Sequence, residues 1–264
     1  MTVPRTSLRP TAVLAGSATF GALASLITLA APPALQPPFP ILFYLKFDVS
    51  EVVDLSSFMI FGPTAGLLTA LIHATILGTV AGGAGSGPFF GPSLKFLGVL
   101  STYIGLLLAS RIGKQSLLRT SLTMTSLALL TRVSLMTLAN YFYIVFLAQT
   151  IFGVDYTGFA QFVLSQSGVN LTGSGLILYI LGLTAIYNAI HVVFSVMVSL
   201  LLVNALMKRA PSLLQARAWI TRVLNSVSRK ATLPSQPARV LFSHSSTWTF
   251  GLSDPLPELL FRLA

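Results

Sequence analysis

The stretch Lys46–Leu68, KFDVSEVVDLSSFMIFGPTAGLL, packs Asp48, Glu51 and Asp54, three of the chain's six acidic residues, into one short segment. It then runs through Gly62-Pro63 into a long apolar span. Carboxylates in so apolar a neighbourhood are expected at a water boundary. A Gly-Pro inside an apolar run is expected to end one helix and start another, because proline lacks the amide donor and clashes with the preceding turn. These two features organise the topology of the whole chain.

Of the 264 residues, 54% are hydrophobic and 8% charged, and the mean hydropathy is +0.82. A globular domain carries about 25% charged residues. The chain therefore reads as an integral membrane protein. Cysteine is absent, which removes disulfides, thiolate catalysis and Cys-based metal sites from consideration. The net charge of +10 fits basic loops and a basic tail facing an anionic leaflet; no aromatic-basic motif points to nucleic acid. Arg5 and Arg9 precede the apolar run Thr11–Ala31, which is long enough to span, and Leu29-Ala30-Ala31-Pro32 makes a poor signal-peptidase site.

Hydropathy marks spans near 11–31, 92–110, 117–146 and 185–207, and an ambiguous block at 55–81. Taken as one helix, that block puts Arg111, Lys114 and Arg119 on the side opposite Arg5 and Arg9. Split at Gly62-Pro63, it puts all five inside together with Lys208 and Arg209, and leaves Lys46 outside. The positive-inside bias favours the split. The expected fold class is an all-α integral membrane protein, a six-transmembrane-helix bundle with both termini cytoplasmic. Its spans are about 11–31, 50–61, 63–81, 90–110, 117–146 and 176–207. The 50–61 helix is too short to cross alone and should be tilted or cradled by its neighbours. Residues 1–209 form the membrane domain, and 210–264 a cytoplasmic tail. There, Leu213, Ala216, Ile220, Val223, Leu224 and Val227 form one stripe of a basic interfacial helix. The Ser/Pro-rich remainder, including His244, is expected to be poorly ordered.

Small residues recur at helical spacing on the first span: Ala15, Ala18 and Ala22, then Gly21 and Ser25. Such faces let another helix approach closely in lipid, inside the bundle or on a partner. The glycine-rich loop 81–92 lacks the Lys-Ser/Thr ending of a phosphate cradle and reads as an outer connection.

Antiparallel threading brings several polar side chains to a similar depth: His73, Lys95, Asn140, Asn188 and His191, with Arg132 deeper. Aromatic residues crowd that level, among them Phe43, Tyr44, Phe47, Phe89, Phe90, Tyr141, Phe142, Tyr143 and Tyr187. Taken singly, each has a plainer role: interfacial belt, snorkelling lysine, or interhelical glue worth about 0.6–2 kcal/mol. Their convergence points to a ligand. Asparagines offer donor and acceptor together, as an amide-imide edge requires, and aromatic faces suit a flat ring. His191, three residues from Asn188, shares its face, and its titration would make binding pH-sensitive between about pH 5 and 8. A metal site or a nucleophile–base pair is not expected, since His73 and His191 lie on different spans with no carboxylate expected near them. Neither a cofactor nor catalysis is expected. Inverted repeats, the mark of many stand-alone carriers, are not evident.

The segment PFPILFYLKFDVSEVVDLSSFMIFGPTAGLLTALIHA resembles the first-loop-to-third-helix region of the riboflavin-type S components of energy-coupling-factor (ECF) transporters, which carry an acidic stretch before a helix ending F-G-P-x-A-G. The resemblance continues in GPSLKFLGV, in Asn140-Tyr141-Phe142 and in Tyr187-Asn188-Ala189-Ile190-His191, covering about residues 11–208. It implies a six-helix bundle that binds a vitamin, here riboflavin, at its outer side beneath the first loop. It also implies docking on a transmembrane T subunit with two ATPase subunits, through the Ala15/Ala18/Ala22 face. The substrate-binding set becomes Asn140, Asn188, His191, Lys95, His73, Tyr141 and Phe47. His73 and His191 stand where the family has lysines, Lys95 where it has asparagine, and Arg132 at an apolar position.

Overall fold

A computed structural model describes residues 9–32, 34, 36–42, 44–80, 90–112, 117–147, 149–150, 153, 155–209, 218–221 and 223. Among them the chain is helical, apart from loops and an isolated antiparallel bridge between Pro38 and Lys46. The helices are α1 Pro10–Ala30, α2 Ser50–Phe61, α3 Pro63–Val80, α4 Phe90–Ile112, α5 Leu117–Phe142, α6 Tyr156–Ser165 and α7 Ser174–Arg209. α5 continues as a π-helical turn, Tyr143–Leu147. Five of these segments are long and apolar enough to cross a membrane: α1, α3, α4, α5 with its π turn, and α7. The bundle is built from α4 against α5, α5 against α7, and α1 against α3, with α2 in the middle.

The helix break falls where the Gly-Pro pair put it. Gly62 has φ +102°, which glycine alone adopts without strain, and its amide closes α2 on the Phe58 carbonyl at 2.9 Å. Pro63 then opens α3 at the position where a missing amide costs least. α2 has 12 residues, about 18 Å of rise, and every residue from Ser50 to Ile60 is buried. That corrects the expectation for the acidic stretch: Glu51 and Asp54 do not face a water boundary but lie inside the bundle, 1% and 0% exposed.

The small residues of α1 divide between two faces. Gly21, Ser17 and Ser25 are buried, and a Cβ on Gly21 would stand 2.8 Å from Ile72 on α3. Ser17 Oγ donates to the Ala65 carbonyl at 3.2 Å. Ala15, Ala18 and Ala22 face outward, exposed.

Two apolar clusters fill the interior. One joins Phe39 and Leu42 of the α1–α2 loop to Ala160, Val163 and Leu164 of α6 and to Leu176, Ile180 and Tyr187 of α7. α6 was not expected from hydropathy; Asp155 caps it, accepting from Gly158 N at 2.6 Å. The second cluster joins Phe58 and Met59 to Tyr103, Leu106, Met124 and Val196. It also takes in Ala218 and Ile220 from beyond α7, while the Trp219 ring packs edge-on against Phe58 with centroids 4.9 Å apart. Residues 218–221 of the expected interfacial segment thus seat in the bundle. Apart from Val223 the rest of that segment, loop 81–89, Lys114, Phe43 and His244 lie outside the described residues.

Candidate functional site

Above the N-terminus of α2, two linked polar clusters occupy the bundle. The first forms around Lys95 of α4. Its ammonium pairs with the Asp48 carboxylate and donates to Ser50 Oγ at 2.8 Å and to Thr28 Oγ1 of α1 at 3.0 Å. The Asp48 carboxylate also accepts the Ser50 amide proton at 2.8 Å, which ties the end of the loop to the first turn of α2. Burial works against the Asp48 charge, but the Lys95 ammonium and the Ser50 hydrogen bonds outweigh it and hold the carboxyl at about 2. The Asp48 carboxylate therefore stays ionised across the physiological range.

His73 of α3 connects this cluster to the helix below. Its Nε2 lies 3.3 Å from Lys95 Nζ and 3.1 Å from Thr28 Oγ1, and its Nδ1 lies 2.8 Å from Asp54 Oδ2. The His73 ring thus bridges the Lys95 cluster to the Asp54 carboxylate. The second Asp54 oxygen, Oδ1, has no hydrogen-bond partner.

The second cluster forms around Arg132 of α5, 4% exposed. Its guanidinium pairs with Glu51, and donates to Thr102 Oγ1 at 3.2 Å and to Asn188 Oδ1 at 3.1 Å. Arg132 Nη2 lies 3.4 Å from His191 Nδ1, and the opposite nitrogen of that ring lies 3.3 Å from the Asp48 carbonyl and 3.5 Å from Glu51 Oε2. His191 Nδ1 also lies 3.0 Å from the Tyr187 hydroxyl, so the ring links Arg132, Tyr187 and the end of the loop. Gly98 makes room for the arginine: a Cβ there would stand 3.2 Å from Arg132 Nη2.

The loop closes over both clusters. Phe47 packs on Tyr187 at 5.1 Å and on His191 at 5.8 Å, and the Tyr187 hydroxyl donates to the Lys46 carbonyl at 2.6 Å. Further out, Ser167, just past α6, donates to the Ile41 carbonyl at 2.8 Å. The result is a linked polar network with side chains from α1–α5 and α7, covered by the loop, on which α6 packs.

Of the residues expected from sequence, the structure brings together His73, Lys95, Arg132, Asn188, His191 and Phe47. Asn140 is buried, and its amide donates to the Met136 carbonyl of its own helix at 2.8 Å. Tyr141 stands apart, 41% exposed with its ring against Phe146. The expectation that no carboxylate stands near the histidines is overturned: Asp54 meets His73 and Glu51 meets His191. The sequence reading also missed Thr28, Ser50 and Thr102. Among the described residues, no group of three or more acidic or histidine ligands could hold a metal ion.

No family model matches this chain, and no curated protein matches it. A solved structure is similar to it, one described as the structure and mechanism of the S component of a bacterial ECF transporter. The TM-score is 0.54 at 22% identity, over 76% of this chain and 98% of the other. The chain has the fold of an ECF S component. The likeness takes in nearly the whole of that chain and leaves about a quarter of this one without a counterpart.

Proposed function

We propose that this chain is the substrate-binding S component of an ECF-type importer, without catalysis of its own. The likeness of fold, over 76% of this chain, carries the proposal, and the polar network beneath the α1–α2 loop supports it. The ligand we propose is riboflavin or a related flavin. Asn188 belongs to the polar network, Asn140 is buried on the adjacent α5, and Phe47 and Tyr187 bring aromatic rings to it. The partners would be a transmembrane T subunit carrying two ATPase subunits. The exposed Ala15/Ala18/Ala22 face of α1 would dock on the T subunit, since small side chains permit close helix approach in lipid.

The test uses flavin fluorescence quenching together with co-purification of the ATPase module from a host that expresses it. Asn140→Ala and Asn188→Ala should each weaken flavin binding about 5- to 150-fold, equivalent to roughly 1–3 kcal/mol for a buried group left unpaired. Ala18→Leu combined with Ala22→Leu should keep flavin binding and lose the ATPase module. Absence of quenching by the unmodified protein would remove flavin from the proposal. Retention of the module by the double variant would remove the docking face.

We further propose six spans, with α2 counted as one, both termini cytoplasmic, residues 1–209 as the binding domain and 210–264 as an inner appendage. Membrane-impermeant thiol reagents should label cysteines placed at the exposed Lys46 and Arg111 from opposite sides of the membrane. Ser50 is unsuitable as a labelling position because it is fully buried. Labelling of both positions from one side would refute this topology.

A further inference from the structure

α2 cannot complete a bilayer crossing. Its rise of about 18 Å leaves about 12 Å of a hydrocarbon core of about 30 Å for other parts of the chain to fill. At one end the loop and its polar network sit on it. At the other, where Gly62 breaks the helix, the filler is the chain beyond α7. Ala218 and Ile220 are buried there, and the Thr221 hydroxyl donates to Met207 Sδ at 3.2 Å. The Trp219 ring closes on the break itself, 3.6 Å from where a Cβ on Gly62 would stand. Phe58 is thereby gripped between two rings, stacked on Tyr103 of α4 at 4.5 Å and edge-on to Trp219.

We infer that Trp219 is a positioning residue, holding α2 at the depth at which Ser50, Glu51 and Asp54 meet the polar network. A helix this short moves as one body, so the grip on Phe58 fixes the far end as well. An axial slip of about 1.5 Å, one residue's rise, carries Ser50 out of the 2.8 Å contacts that it makes with Lys95 and Asp48. The membrane domain therefore runs in function to Val223, which packs on the same cluster, rather than ending with α7. Trp219 acts on a ligand through α2 and not by touching it. That the network is the ligand's site rests on the function proposed above.

The first arm of the test needs no ligand. Ala218→Cys places a single thiol in this cysteine-free chain. In permeabilised membranes it should resist a maleimide that labels Cys at the exposed Arg209, and react once the protein is unfolded in dodecyl sulfate. Hydrogen–deuterium exchange of the full chain should show Trp219→Ala losing amide protection across Ser50–Phe61 while α5 and α7 keep theirs. Trp219→Phe retains a flat ring against Phe58 and should restore that protection. The second arm uses riboflavin as probe. Trp219→Ala should bind it about tenfold more weakly, the worth of about one network hydrogen bond, and Trp219→Phe should recover the affinity. Labelling of Ala218→Cys in the folded protein would overturn the inference. So would unchanged protection of α2 in Trp219→Ala, a loss spread evenly over all helices, or riboflavin affinity equal to that of the unmodified protein. The expected exchange pattern with no riboflavin binding by the unmodified protein would keep Trp219 as the anchor of α2 and remove the flavin.

Discussion

Arg132→Met is expected to destabilise the bundle by about 3–5 kcal/mol, because it strands the Glu51 carboxylate, 1% exposed, without its guanidinium. Asn188, His191 and Thr102 would each lose a donor in the same step. The companion is Arg132→Met with Glu51→Leu. Apolar replacement of both members of a buried pair is often close to neutral, so the double variant should recover most of the loss. Thermal unfolding in detergent measures both. A single variant as stable as the unmodified protein would mean that this pair does not hold α2 to α5. A double variant no better than the single would assign the loss to the polar neighbours instead.

Gly105→Ala is expected to have an effect of similar size for a different reason. A Cβ at Gly105 would fall 2.6 Å from the Leu127 carbonyl oxygen and against the backbone of Ala128, where α4 crosses α5. Flexible side chains yield to overpacking at about 1–3 kcal/mol, but helix backbone does not, so the two helices must separate along their length. Gly182→Ala in α7 is the control. Nothing lies within 4 Å of its Cβ position, and alanine there should be neutral or stabilising by about 0.5–1 kcal/mol. Equal losses from Gly105→Ala and Gly182→Ala in the same unfolding assay would exclude close packing as the cause.

The long helices were legible because each is a continuous apolar run, and α2 was legible because Gly62-Pro63 leaves no other place for the break. α6 was hidden: with ten residues it is too short for a hydropathy window, and Asp155 as its cap was the available signal. Convergence of His73, Lys95, Arg132, Asn188 and His191 followed from antiparallel threading, which fixes depth but not rotation about each helix axis. Rotation is why Tyr141 was grouped with them although it is 41% exposed, whereas Glu51 and Asp54, read at a boundary, lie inside because α2 is buried on every face. A second signal was available. Lys95 and Arg132 are cations within apolar spans, and each must find an anion; the α2 region holds three. Counting charges that must be matched would have brought two of these carboxylates to the two cations, as Asp48 and Glu51 are in the structure.

Trp219 gives the molecule an optical gauge of its own. The chain has two tryptophans, so Trp248→Phe leaves a single indole, set edge-on against Phe58 beside Gly62. Phe58 lies one helical turn below Asp54 on the same short helix. Any displacement of α2 at its loop end therefore registers as a change in the emission of a residue packed at the other end of that helix, with no dye attached.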